Sequence, residues 1–144
     1  MACAARLLCR FLRNRSMAES RSEALQGCCL LVVEDEYLIA ADLTASLESL
    51  GVKVIGPAAS VEEALSLVEN NGGRLDGAVL DINLRNERVY PVADVLTARG
   101  VPFLFTTGYD AVAVPTAYAC APRCEKPVDK TQLVRWLSNT GSRR

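Results

Sequence analysis

The sequence predicts a doubly wound α/β domain built on a five-stranded parallel sheet. Two observations carry the prediction. From residue 28 to about 139, short aliphatic runs alternate with stretches of helical periodicity five times, with no repeat or linker between them. The runs also end abruptly on polar residues, Glu34-Asp35-Glu36 after the first and Asp81 after the third. Strands buried on both faces end this way at the carboxyl edge of such a sheet, where ligands bind.

Each element has its own signal. Cys29-Leu30-Leu31-Val32-Val33 reads as the first buried strand. A helix follows to about Leu50, with Ile39, Leu43, Leu47 and Leu50 at helical spacing and Gly51 as its stop. Residues 52–56 form the second strand, closed by Pro57. Ser60-Val61-Glu62-Glu63 is a capping box for a second helix that runs to about Asn70 and ends at Asn71-Gly72-Gly73. The run 75–84, bounded by Gly73 and Arg85, contains the third strand and delivers Asp81 to the carboxyl edge. Pro91 suits the first turn of a third helix over 92–98, with Gly100 after it. A fourth strand over 101–106 ends in Thr107-Gly108, and a short, weak helix is expected over 110–118, where Pro115 disfavours the middle. Residues 120–125 form the fifth strand, ending in Lys126-Pro127. Asp129 with Gln132 caps a last helix whose Leu133, Trp136 and Leu137 share a face.

Composition narrows the chemistry. A chain of 144 residues is one domain with room for a real core. Residues 1–27 hold five Arg against two Glu, a balance of +3, while the rest holds 11 Lys and Arg against 15 Asp and Glu, or −4. The mildly acidic body gives no electrostatic reason to bind nucleic acid. There is no histidine, which removes Ser-His and Cys-His nucleophile pairs, most zinc sites and any imidazole switch. The cysteines at 3, 9, 28, 29, 120 and 124 form no Cys-x-x-Cys pair and read as reduced thiols of a cytoplasmic protein. No apolar run approaches the roughly 20 residues of a membrane span. In the basic leader, Arg6, Arg10, Arg13 and Arg15 alternate with Leu7, Leu8, Phe11 and Leu12, and Met17 begins a more ordinary polar stretch. Residues 1–27 are expected to be a disordered extension that contributes nothing to the fold, 28–139 the folded domain and 140–144 a tail.

Parallel strands place all their ends on one edge, so Glu34 and Asp35, Asp81, Thr107 and Lys126 should meet there. Clustered carboxylates repel one another unless a divalent cation or protons intervene. Oxygen donors in small number suit Mg²⁺, which keeps waters and takes phosphate oxygens into its shell. The Asp81 carboxylate can itself attack phosphorus to give an acyl phosphate. Phosphoryl transfer mostly needs charge neutralised and groups held in line. Lys126 would meet one phosphoryl oxygen and Thr107 another, with Gly108 leaving space beside that hydroxyl.

Leu31-Val32-Val33-Glu34-Asp35, Leu80-Asp81-Ile82-Asn83-Leu84, Thr107-Gly108 and Lys126-Pro127 together resemble the receiver domain of two-component response regulators, of the chemotaxis type. The resemblance covers residue 28 to about 139. Phe105-Thr106-Thr107-Gly108-Tyr109 is also similar to the Phe-Ala-Thr-Gly subgroup of stand-alone receivers in alphaproteobacteria, with Thr106 where that pattern has Ala. The resemblance implies a flavodoxin-like fold with strand order 2-1-3-4-5 and Asp81 as phosphoacceptor. It implies a Mg²⁺ site of Glu34, Asp35, Asp81 and the Asn83 backbone carbonyl, and a cis Lys126-Pro127 peptide. Thr107 and Lys126 would sense the phosphoryl group. Partners implied are a histidine kinase or histidine phosphotransfer protein and a downstream protein, with a homodimer through the fourth and fifth units as one further pairing. The expected chemistry is Mg²⁺-dependent self-phosphorylation and autodephosphorylation only, in a single-domain regulator that signals through a partner or acts as a phosphate sink.

One departure stands out. Many receivers carry Tyr or Phe three residues before the Lys, and here that residue is Arg123. Tyr109 is a candidate to take over part of its role. Two rival readings remain. A phosphatase of the haloacid-dehalogenase type would want a second acid where Asn83 stands and would leave Glu34-Asp35 without a purpose. A phosphorylation-independent, receiver-like interaction module would act by its surface alone.

Overall fold

The computed structural model describes residues 25–108 and 114–142. Five parallel strands form the sheet: β1 (Cys29–Val33), β2 (Lys53–Ala58), β3 (Gly77–Asp81), β6 (Phe103–Thr107) and β7 (Arg123–Glu125). Their spatial order is β2-β1-β3-β6-β7, which is 2-1-3-4-5 when these five are counted alone. A separate antiparallel hairpin, β4 (Asn83–Leu84) and β5 (Glu87–Arg88), comes directly after β3. The helices are α1 (Tyr37–Ser49), α2 (Val61–Asn71), α3 (Tyr90–Ala98) and α4 (Lys130–Ser142).

Alternation along the strands divides the core into two layers. Leu30, Val32, Val79 and Leu104 point to one face, against Leu43 and Leu47 of α1 and Leu133, Trp136 and Leu137 of α4. Leu31, Val33, Ala78, Leu80 and Phe105 point to the other, against Ala64 and Val68 of α2 and Val92, Ala93 and Leu96 of α3. All five residues of β3 are buried, so the central strand is covered on both sides. No helix among the described residues is long and apolar enough to cross a membrane.

Several boundaries differ from the sequence expectation. Leu25 is fully buried in the α1/α4 layer, and the Gly27 N–H bonds the Gly51 carbonyl at 2.9 Å, so the fold begins inside the expected extension. Residues 1–24 lie outside the described residues. Pro57 does not close the second strand. β2 runs through it to Ala58, because an edge strand tolerates a residue without an N–H. The register shifts between Leu31 and Val33, and Gly56, at φ +103°, carries the irregularity. A Cβ there would lie 2.8 Å from the Ala58 nitrogen and 2.9 Å from the Val32 oxygen. The helix expected over 110–118 is, among the described residues, a single 3₁₀ turn at Thr116–Tyr118; residues 109–113, Tyr109 included, lie outside them. The fifth strand is only Arg123–Glu125, since the Ala121 N–H turns back to the Tyr118 carbonyl and Pro122 has no N–H to give. α4 continues past residue 139 into the expected tail, with the Thr140 hydroxyl bonded to the Trp136 carbonyl.

The caps agree with their sequence signals. Ser60 Oγ accepts the Glu63 N–H at 3.1 Å, while the Glu63 carboxylate reaches the Ala59 N–H instead of that of Ser60. Asp129 Oδ1 accepts the Gln132 N–H at 2.8 Å.

Candidate functional site

Strand register assembles the site. Val33 lies beside Leu80 and Leu80 beside Phe105, so the next residues, Glu34 and Asp81, leave adjacent strands side by side. Asp81 itself pairs with Thr106, and Thr107 with Glu125. The irregularity of β2 fixes the first acid: the Ala58 carbonyl accepts the Glu34 N–H at 2.9 Å. From β7, the Lys126 N–H bonds the Thr107 carbonyl at 2.8 Å, which sets the lysine at the same edge. The Lys126-Pro127 peptide is cis, as the resemblance implied.

Three strands thus bring three ionisable side chains into contact. Lys126 Nζ lies 2.8 and 3.0 Å from the two Glu34 carboxylate oxygens and 3.2 Å from Asp81 Oδ2. Glu34 and Asp81 are each only 3% exposed. Burial, together with the hydrogen bond and charge of Asp81, pushes Glu34 up to about 8 against the pull of Lys126. For Lys126, burial acts to lower the pKa, but the bond to Glu34 and the charges of Asp81 and Glu34 outweigh it and hold the ammonium above its usual range. The cluster is two buried acids sharing one cation.

Glu34, Asp35 and Asp81 each offer a carboxylate oxygen, and these lie within 4.8 Å of one another. A small, all-oxygen donor set fits a hard divalent cation such as Mg²⁺ better than zinc or a soft metal. Asn83 sits two residues past Asp81 at the start of the hairpin. Its N–H donates to Asp81 Oδ1 at 3.3 Å, and its side-chain oxygen accepts from Arg88. Thr107 is half-buried at the end of β6, and nothing lies within 4 Å of where a Cβ on the exposed Gly108 would stand. All six residues singled out from the sequence therefore lie on the carboxyl edge, or in the hairpin just beyond it.

Two features escape the sequence reading. The hairpin after β3 turns at Arg85-Asn86, with Asn86 at φ 64°, and places Arg88 on Asn83. A two-residue turn with an Asn tolerant of positive φ is its available signal. Thr106, buried and paired with Asp81, lines a cleft of about 320 Å³ with Glu34, Leu38, Leu43, Lys126 and Val128. Beside that cleft, Tyr37 and Leu38 at the start of α1 are each 80% exposed.

The chain is similar in structure to SdrG from Sphingomonas melonis Fr1, at 38% identity and TM-score 0.70, covering 78% of this chain and 95% of that one. It is likewise similar to SdrG in a BeF3-activated conformation, at 37% identity and TM-score 0.65 over the same shares. The signal receiver domain of a modulated diguanylate cyclase from Desulfovibrio desulfuricans G20 is 28% identical, with TM-score 0.67, over 80% of this chain and 94% of that one. Among curated proteins, the phyllosphere-induced regulator PhyR of Methylorubrum extorquens is 39% identical over 83 residues. That match takes in 56% of this chain and 30% of the regulator, so the chain spans less than a third of that relative. No protein-family model matches.

Proposed function

The chain belongs to the response regulator receiver family, and we propose that it is switched by phosphorylation of Asp81. The observation that carries this reading is the contact of Lys126 with both Glu34 and Asp81 beside a third carboxylate, Asp35, at the mouth of the sheet. An Asp81 carboxylate oxygen attacks the phosphorus of a phosphohistidine on a histidine kinase or histidine phosphotransfer protein. The P–N bond breaks, imidazole departs, and an acyl phosphate forms. Lys126, already 3.2 Å from Asp81, meets one phosphoryl oxygen, and the Thr107 hydroxyl another. Bound Mg²⁺, held by Glu34, Asp35, Asp81 and the Asn83 carbonyl, would neutralise the phosphoryl oxygens. Water later hydrolyses the acyl phosphate, and that autodephosphorylation completes the chain's own chemistry.

The phosphodonor docks where an apolar surface adjoins the acids, on Tyr37, Leu38 and the cleft beside them. Output passes to a protein partner, or the chain serves as a phosphate sink; pairing with a second copy uses the fourth and fifth units of the sheet, those of β6 and β7. The setting is the cytoplasm, where kinases are charged from ATP. That SdrG has a BeF3-activated conformation supports beryllofluoride as a mimic to use here.

One observation favours a second reading. Arg123 is exposed where many receivers carry the aromatic that moves with the Thr, which suits a module that binds its partner whatever the state of Asp81. Intact-mass measurement with Mg²⁺ and a small-molecule phosphodonor separates the two. A single phosphoryl adduct that requires Mg²⁺ and is lost in Asp81→Asn is expected. No adduct from a folded protein, with partner binding retained by Asp81→Asn, would overturn the phosphoacceptor reading for the second one.

A further inference from the structure

Arg123 leaves a place for another ring, and the structure fills it from the connection between β6 and β7. Phe105 and Arg123 pair on adjacent parallel strands, so their side chains share a face of the sheet. An aromatic at position 123 would lie beside Phe105. In its absence Tyr118 meets Phe105 edge-on, with centroids 6.2 Å apart and planes at 81°. Tyr118 also stacks on Tyr90, at 4.6 Å and 12°, and Tyr90 meets Phe105 edge-on at 6.0 Å. Three rings therefore contact one another pairwise.

Both rings that Tyr118 touches are attached close to Asp81. Phe105 lies two residues before Thr107 on β6 and beside Leu80, the residue before Asp81. Tyr90 opens α3, and the preceding Val89 N–H bonds the carbonyl of Ile82, the residue after Asp81, at 3.1 Å. The Tyr118 hydroxyl completes the arrangement by donating to Asp94 Oδ1 on α3. That bond raises the tyrosine pKa to about 12, with smaller help from burial. Tyr118 also organises its own segment: its N–H bonds the Pro115 carbonyl at 2.9 Å, and its carbonyl accepts the Ala121 N–H at 3.1 Å. The hydroxyl bond is at the surface and so is weak enough to open.

Resting on the phosphoacceptor reading above, we propose that Tyr118, clipped to Asp94, is the positioning residue that passes the state of Asp81 to residues 114–121. The clip is closed when Asp81 is bare. When Thr107 is drawn toward a phosphoryl group, β6 carries Phe105 with it, the ring contact is lost and the hydroxyl leaves Asp94. Residues 114–121 are then released as the face a partner reads. Tyr118 touches no reacting atom; it acts through Phe105 and Tyr90.

Linkage makes the proposal measurable, because a ligand that opens the clip must bind more tightly when the clip is already gone. The test uses the full chain, Tyr118→Phe, which keeps the ring and removes only the hydroxyl, and Asp94→Asn. Beryllofluoride with Mg²⁺ is titrated by calorimetry, and amide exchange is monitored over 114–121. Both variants should bind beryllofluoride about fivefold more tightly, at the lower end of usual allosteric couplings. Their unloaded forms should exchange over 114–121 as the loaded wild type does. Faster exchange with unchanged beryllofluoride affinity would reduce Tyr118 to a local structural tie and overturn the proposal alone. A wild type that takes up no beryllofluoride would overturn the phosphoacceptor reading, and the clip's role with it.

Discussion

The acid–lysine cluster, at the carboxyl edge of the sheet, and the aromatic cluster, on one of its faces, are held in different ways. In the first, Glu34, Asp81 and Lys126 come from the ends of three strands whose register leaves them adjacent, with both acids almost wholly buried. Charge holds that cluster, and a buried ion pair is sensitive to the loss of either partner. In the second, Tyr118 comes from a connection with one described 3₁₀ turn and is held by ring contacts and a surface hydroxyl bond. Each such contact is worth only about 0.5–1.5 kcal/mol. The first arrangement is buried and charge-held, which suits chemistry; the second ends in a bond at the surface, which suits a readout.

Removing the shared cation should give the largest effect. Lys126→Met leaves the buried acid pair without its counter-charge and should cost about 3 kcal/mol of stability in urea unfolding without metal. Added Mg²⁺ should restore part of that loss, since a cation held by the same acids replaces the missing charge. A loss under about 1 kcal/mol would mean the cluster is not charge-held, and the contrast with the aromatic region would collapse.

Gly56→Ala tests the backbone under the first acid. The positive φ and the 2.8 Å approach to the Ala58 nitrogen leave no room for a Cβ, so a cost of about 2–4 kcal/mol is expected from thermal unfolding. Mg²⁺ binding should weaken as well, because the Ala58 carbonyl positions the Glu34 N–H.

Acidity gives a third, graded test. A glutamate ordinarily titrates near 4.5, and Glu34 is held at about 8 in the fold, so the folded state keeps a proton that the unfolded chain releases. Metal-free stability should therefore fall as pH rises from about 4.5 to about 8, and level off above that. Mg²⁺ must displace the same proton. Its affinity, titrated at a series of pH values, should climb by up to about tenfold per unit below pH 8 and then flatten. The aromatic cluster should show the smallest response. Tyr118→Phe, which removes only the hydroxyl bond, should cost about 1 kcal/mol in urea unfolding, and a loss as large as that of Lys126→Met would make the two regions equivalent.

The same contrast explains how much the chain discloses before it folds. Glu34, Asp35, Asp81, Thr107 and Lys126 are legible because each closes a strand, and parallel strands leave no choice about where their ends lie. Asn83 is legible only through family resemblance, since nothing in its spacing announces a backbone ligand. Pro57 misleads because local chemistry says stop, whereas an edge position with Gly56 beside it lets the strand continue. The connection from Gly108 to Pro122 is not legible. A helix over 110–118 has weak propensity with Pro115 inside it, and ring contacts to α3 and β6 decide its described part. Leu25 is hidden by the basic leader before it, and its place depends on long-range packing against the α1/α4 layer.

Whether the carboxylate of Asp81 takes the phosphoryl group can be settled by chemical trapping. The chain is treated with Mg²⁺ and a small-molecule phosphodonor, reduced with borohydride and mapped by its peptides. Borohydride converts an acyl phosphate on aspartate to homoserine, so homoserine is expected at position 81 alone, absent without Mg²⁺ and absent in Asp81→Asn. An unmodified residue 81 in a folded protein, or a reduced side chain at Glu34 or Asp35 in its place, would contradict the phosphoacceptor assignment.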